Sequence, residues 1–380
     1  MTKISLVCLL LVILVPISCL AIEPMQETGV PTSEVDKEAG HVLTPEEVAK
    51  LLVRPRCFGS LGDTTGSYAI RDYAIPSNGI ALSAQLYLPA ETGRWPLVIL
   101  IPGGFNETEL VMQAPRYYAP ILARCGFAAL VYYKRGTGSS GGVYADATND
   151  DFIDDVVNIA MKLAQDPHID STRMGVMGGS GGGLIAPLAA ARYQRISFVV
   201  SNSGPIVSGE EEANYNIQGA LRLRGYSDSL VQLVMPLWRR HHAAWAHGDT
   251  AELEAVAAEI TEMREQIDPF ALPTPYQEVF TDSNLIFLWP SFRSASRDYM
   301  SELKHMRAQW LCIYGAEDTI VPVGSSVDNI QRLMKESGNE DYSMIVLPGV
   351  DHSFFDPRTG EQVPVIRIIV NWLELAVLEP

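Results

Sequence analysis

Cysteine is scarce in this chain. Five occur in 380 residues, too few for a fold stapled by a disulfide framework. Charge is sparse as well, 19% of residues against 47% hydrophobic, the opposite of a disordered chain. Basic residues are outnumbered 28 to 45, and no run of Lys or Arg offsets that excess. With a formal net charge of −17 the surface repels phosphate backbones, which argues against nucleic acid as a partner. No internal repeat or low-complexity tract is present. His, Asp and Cys do not gather at metal-ligand spacing, so the reading calls for no metal and no cofactor. What is present is enough apolar residue for one large α/β domain with an insertion, or for two smaller domains.

The N-terminus differs from the rest. Lys3 precedes an apolar stretch from Ile4 to Leu14, and small residues follow at Ser18, Cys19 and Ala21. This is the layout of a secretory signal peptide over residues 1–21, cleaved after Ala21, and it implies an exported protein, periplasmic or extracellular. The run is too short, and too soon interrupted at Pro16, for a transmembrane helix. Two alternatives stay open: a lipid anchor at Cys19 in the setting Ile17-Ser18-Cys19, and an uncleaved apolar anchor. Removal of residues 1–21 leaves Cys57, Cys125 and Cys312. Three cysteines allow at most one bridge, and the apolar surroundings of Cys125 and Cys312 read as those of buried thiols.

Residues 22–66 read as a polar leader followed by a short helix, with Thr44 as N-cap, Pro45 at the first helical position and Glu46-Glu47 in the first turn. Alternating stretches at Tyr68–Ile75 and Ile80–Leu88 flank Ser77-Asn78-Gly79 and predict a hairpin. From Leu97 onward short apolar runs alternate with amphipathic stretches, the pattern of a mostly parallel sheet covered by helices on both faces. The alternation stops between about Pro205 and Arg307, where the pattern is helical. Residues 67–204 and 308–380 therefore read as an α/β core, and 205–307 as an inserted helical cap. In the cap Trp238, Trp245, Phe280, Phe287, Trp289 and Phe292 are candidates to line a substrate pocket or to pack the insertion onto the core.

The strongest chemical signal is Gly178-Gly179-Ser180-Gly181-Gly182, a Gly-x-Ser-x-Gly motif between an apolar strand and a helix. A sharp strand-to-helix turn presents Ser180 as a nucleophile at the carboxyl edge of the sheet, at the positive end of the next helix. No Lys follows the glycines, which separates the motif from a phosphate-binding loop. A serine nucleophile needs a base and an orienting acid. His352, in a loop after the last apolar strand, is the expected base. Asp318, in the loop Tyr314-Gly315-Ala316-Glu317-Asp318, is the expected acid, with Glu317 and Asp351 as alternatives. Backbone N–H groups of Gly181 and of Gly104 or Phe105 are the expected oxyanion donors.

Taken together, these residues resemble the α/β-hydrolase superfamily over roughly residues 68–378. Within Tyr132 to Gly142, Arg135-Gly136-Thr137-Gly138-Ser139-Ser140 is similar to the Arg-Gly-x-Gly-x-Ser loop of its esterase and serine-aminopeptidase-like branch. Asp318-Thr319-Ile320-Val321-Pro322 matches the acid loop of that branch. The chain departs from many relatives at Pro102 and Gly179, where His is common. The resemblance implies the α/β-hydrolase fold and a Ser180-His352-Asp318 triad acting on a small-molecule acyl ester. A peptide bond is the alternative, which Glu210-Glu211-Glu212 would serve by gripping a free amine. A binding protein on a hydrolase scaffold is the reading of another class.

Overall fold

The computed structural model describes residues 42–58, 68–90, 92–104, 111–223, 227–247, 249–266 and 297–379. The proposed signal segment and Cys19 lie outside them. The centre is an eight-stranded sheet: β1 (Ala69–Ser77), β2 (Ile80–Leu88), β3 (Trp95–Ile101), β4 (Ala128–Tyr132), β5 (Ile169–Gly179), β6 (Ile196–Asn202), β7 (Gln309–Gly315) and β8 (Tyr342–Leu347). Its order is β1-β2-β4-β3-β5-β6-β7-β8. The β1–β2 and β2–β4 pairs are antiparallel and all the others parallel. This is the α/β-hydrolase architecture.

The hairpin turns where the sequence places it. Asn78 and Gly79 both take positive φ, 44° and 85°, the pair of left-handed residues that matches the twist of two adjoining strands. The inner strands are apolar on both faces because both faces are covered. Leu97, Ile99 and Ile101 of β3 enter one core, while Val98 and Leu100 enter the other. Side chains alternate along a strand, so a continuous apolar run feeds two cores at once.

Helix α1 (Pro45–Leu51) starts at Thr44, whose hydroxyl accepts from the Glu47 N–H while the Glu47 carboxylate accepts from the Thr44 N–H. It is held to the core: the Asn371 amide donates to the carbonyls of Leu51 and Val53 at 2.8 and 2.7 Å. Helices α2 (Gln113–Arg124) and α10 (Val365–Leu373) cover the same face as α1. Helices α3 (Asn149–Leu163), α4 (Gly181–Arg192), α8 (Met300–Leu303) and α9 (Val323–Ser337) cover the other.

Between β6 and β7 lie α5 (Gly209–Leu223), α6 (Asp228–His247) and α7 (Thr250–Gln266). They share a small core of their own, in which Trp238 is fully buried with Leu221, Val231, Met235 and Val256. Trp238 thus packs these helices together. The other aromatic residues proposed for a pocket fall on residues, or side chains, outside those described.

The cysteine reading needs a correction. Cys125, expected to be a free thiol, is bonded to Cys57. Cys57 lies in the turn Arg56–Phe58 after α1, and Cys125 directly follows α2. Its apolar surroundings are genuine, but they are shared with Cys57, which packs on the same core. Cys312 is a buried free thiol, as expected.

Candidate active site

The sheet order sets the place of the site. The chain leaves β3 into α2 on one face, and leaves the neighbouring β5 into α4 on the other. Connections diverging from adjacent parallel strands open a crevice at their carboxyl ends. The loop Pro102-Gly103-Gly104 and Ser180 stand on either side of that crevice.

Ser180 joins β5 directly to α4 with φ 53° and ψ −127°. Positive φ costs a non-glycine residue of order 1–3 kcal/mol, and such strain persists where surrounding packing enforces it. Here glycines supply the packing. A Cβ on Gly178 would stand 2.1 Å from the Gly182 carbonyl oxygen, and one on Gly182 would stand 2.6 Å from that of Ile101. The turn is therefore as tight as backbone alone permits. The Ser180 N–H donates to the Asn202 carbonyl at 2.8 Å, which ties the elbow to the end of β6.

Asp318 and His352 meet as expected. His352 Nδ1 and Asp318 Oδ2 are 2.7 Å apart, with the carboxylate fully buried and the imidazole partly exposed. The other Asp318 oxygen accepts the N–H groups of Ile320 and Val321 at 2.8 and 2.9 Å. These donors fix the carboxylate plane and leave one oxygen for the ring. The alternatives are occupied elsewhere. Glu317 faces solvent, and Asp351 Oδ1 accepts the N–H groups of Ser353 and Phe355, shaping the loop that carries His352. The Ser203 hydroxyl donates to the His352 carbonyl at 3.0 Å. Consecutive residues at the end of β6 thus hold the elbow on one side and the histidine loop on the other.

Gly181 and Gly104 are adjacent. A Cβ on Gly181 would lie 3.0 Å from Gly104 Cα and 3.3 Å from Gly104 N. The two expected oxyanion donors therefore come from backbones in contact. Phe105, the other candidate, lies outside the described residues.

Four contributors were not legible as site residues. Ser203 is one. Tyr215 on α5 donates to the Asp318 carbonyl at 2.8 Å, and on the same helix a Cβ on Gly219 would overlap the Thr319 carbonyl. Helix α5 therefore rests directly on the acid loop. Lys134 donates to the Gly103 carbonyl, and Tyr144 to the Gly104 carbonyl. The sequence signal that could have found Lys134 is a lysine two residues past the end of the apolar strand β4. Glu212, noted in the acidic run of α5, keeps part of its surface exposed. Its carboxyl is nevertheless desolvated enough to be pushed up to about 7, with His352 as the nearby charge that opposes the shift.

The model of the X-Pro dipeptidyl-peptidase (S15) family matches residues 78–353. An uncharacterized protein of Pseudomonas aeruginosa, PA2218, is 30% identical over 164 residues, which is 42% of this chain and 43% of that protein. An uncharacterized peptidase of Bacillus subtilis, YuxL, is 28% identical over 134 residues, 33% of this chain and 20% of that one. The chain thus aligns with less than half the length of either relative. Among solved structures, an esterase of Pyrococcus furiosus superposes with a TM-score of 0.51 at 17% identity, covering 85% of this chain and 97% of that one. The structure of PA2218 gives 0.52 at 19% identity, covering 85% and 98%. At these identities the superpositions speak for the fold.

Proposed function

Because the chain belongs to the X-Pro dipeptidyl-peptidase (S15) family of α/β-hydrolases, we propose that it is a serine hydrolase that cleaves carboxylic esters through an acyl-enzyme. The observation that carries this reading is the 2.7 Å bond between His352 Nδ1 and the buried Asp318, on the sheet edge that also holds the strained Ser180. In this mechanism Ser180 Oγ attacks the acyl carbon while His352 Nε2 takes its proton. Asp318 holds the ring in the tautomer that leaves Nε2 free to accept, and stabilises the imidazolium. The N–H groups of Gly181 and Gly104 receive the charge that develops on the carbonyl oxygen. His352 returns the proton to the leaving alcohol, then activates water, which releases the acid and restores Ser180.

Amide substrates are the second reading. The family description and the half-buried Glu212 near His352 favour it, since a carboxylate there could face a substrate's free amine. Acidic surface charge supports neutral or cationic acyl compounds over polyanions in either case. The Cys57–Cys125 bridge supports export by residues 1–21, because disulfides persist in oxidising compartments.

Labelling with a fluorophosphonate probe tests the nucleophile. The chain is expected to label at Ser180, with labelling lost in Ser180→Ala; a folded wild type that does not label would refute the proposal. Turnover of short 4-nitrophenyl esters is then compared with that of aminoacyl and aminoacyl-prolyl 4-nitroanilides. Hydrolysis of the anilides alone would replace the esterase reading with the peptidase one.

A further inference from the structure

The loop after β4 bears on the oxyanion loop from below, and it does so with two buried polar side chains. Lys134 is 3% exposed. Its ammonium donates to the Gly103 carbonyl and lies 4.9 Å from the centroid of the Phe152 ring. Among the described residues no carboxylate pairs with it. Tyr144, also buried, donates to the Gly104 carbonyl, and its ring packs against the same Phe152 at 5.6 Å. Between these two side chains the backbone closes on itself. The Thr137 N–H and hydroxyl both donate to the Lys134 carbonyl, and the Gly136 N–H donates to Gly141. Gly136 has φ +71°, and a Cβ there would stand 2.0 Å from the Tyr144 nitrogen. The tight loop sets Lys134 and Tyr144 under successive peptides.

We propose that Lys134 and Tyr144 are positioning residues for the oxyanion hole: Lys134 aims and polarises the Gly104 N–H donor, and Tyr144 holds Gly104 at its other end. The proposal rests on the serine-hydrolase reading given above. Its logic is covalent geometry. A peptide group is planar and trans, so its carbonyl and N–H point in opposite directions. A donor anchored on the Gly103 oxygen turns the Gly104 N–H away from Lys134. That nitrogen is the one lying 3.3 Å from where a Gly181 Cβ would be. Tyr144, holding the Gly104 oxygen, fixes the same residue at its other end. Two consecutive glycines leave these planes unusually free to rotate, so an external anchor is needed if the donors are to be in place before reaction. Hydrogen bonding at the carbonyl end also polarises the amide and strengthens its N–H as a donor. Preorganised donors of this kind act on the transition state more than on the ground state.

An unpaired ammonium is costly to bury, and burial draws Lys134 down to about 7. A lysine that served only to fill space would be better replaced by an apolar chain.

Lys134→Met keeps the length and the packing on Phe152 while removing the donor. Tyr144→Phe removes one hydroxyl. With the ester that wild type turns over best, Lys134→Met is expected to lower kcat about 10- to 100-fold with KM within about threefold, somewhat less than outright loss of a donor. Affinity for a trifluoromethyl ketone, whose hemiketal mimics the oxyanion, should fall by the same factor, while affinity for the product acid is unchanged. Tyr144→Phe should show the same split at about 5-fold, and it decides the matter if Lys134→Met does not fold. Unchanged kcat in a folded variant, or ketone and acid weakened alike, overturns the positioning role. If wild type neither labels at Ser180 nor turns over any acyl substrate, the hydrolase reading falls and this proposal with it. Labelled, active wild type beside unaffected variants refutes this proposal alone.

Discussion

Breaking the Cys57–Cys125 bond should destabilise the protein by an amount set by the chain it encloses. The two cysteines are 68 residues apart. Loop-closure entropy for a ring of that size corresponds to about 4 kcal/mol at 25 °C. The ring includes β1, β2, β3 and α2, so the bridge ties the N-terminal turn to the helix behind the central strands. An α/β domain of roughly 300 ordered residues has an unfolding entropy near 0.6 kcal/mol per kelvin, which converts about 4 kcal/mol to a drop of about 6 °C in Tm. The assay uses protein lacking residues 1–21. Thiol titration in denaturant should find one free thiol, that of Cys312, before reduction and three after it. Calorimetry of wild type and Cys125→Ser under oxidising conditions then reads the difference, which added reductant should abolish. A Tm unchanged within 1 °C, with the bridge verified by thiol count, would refute the entropic argument. Three free thiols before reduction would show that the bond does not form, and would remove its support for export.

Asp318→Asn should preserve the bond to His352 but favour the wrong tautomer, lowering kcat by about 10³–10⁴ with little effect on Tm; steady-state kinetics on the preferred ester checks this. Gly181→Ala places a methyl 3.0 Å from Gly104 Cα, so kcat should fall at least 10-fold while fluorescence-monitored unfolding stays near wild type. Glu212 is raised from 4.5 to about 7. The folded state therefore holds this proton more tightly than the unfolded chain, and stability present below pH 4.5 is lost as pH rises through 7. At 1.36 kcal/mol per unit the cost is at most about 3 kcal/mol, and about 1–2 once the partial exposure of the side chain is allowed for. Glu212→Gln should consequently raise Tm relative to wild type at pH 8 and not at pH 5; an equal difference at both would contradict the desolvation argument.

Much of the core was readable because its signals are local. Apolar runs such as Leu97–Ile101 and Trp310–Tyr314 lie within strands, and the helix expected after the Ser180 turn is there, over Gly181–Arg192. The Asn78-Gly79 turn and the Thr44 cap depend on residues within a few positions of one another, so the sequence displays them directly. The cysteines misled for the opposite reason. An apolar context around Cys125 describes burial correctly but does not say which buried group lies opposite, and Cys57 is 68 residues away. Trp238 is similar: its size predicts a buried contact, and only packing decides that the contact is with α5 and α7 rather than a substrate.

The chain's own order of motifs was sufficient to point to Ser180 and His352 and to narrow the acid to Asp318, Glu317 or Asp351, because a strand-to-helix glycine turn and two loops after apolar strands are short-range patterns. It was likewise sufficient for the sheet, since strand and helix periodicities differ. Tertiary structure alone decided that Asp318, rather than Glu317 or Asp351, meets the imidazole, because that choice rests on which carboxylate keeps an oxygen facing the ring: Asp318 does, while Glu317 faces solvent and Asp351 shapes its own loop. It alone brought Lys134 and Tyr144 under Gly103 and Gly104. Those contacts join residues some 30 to 40 positions apart across β3 and β4, and no periodicity or local motif encodes a hydrogen bond made across the fold.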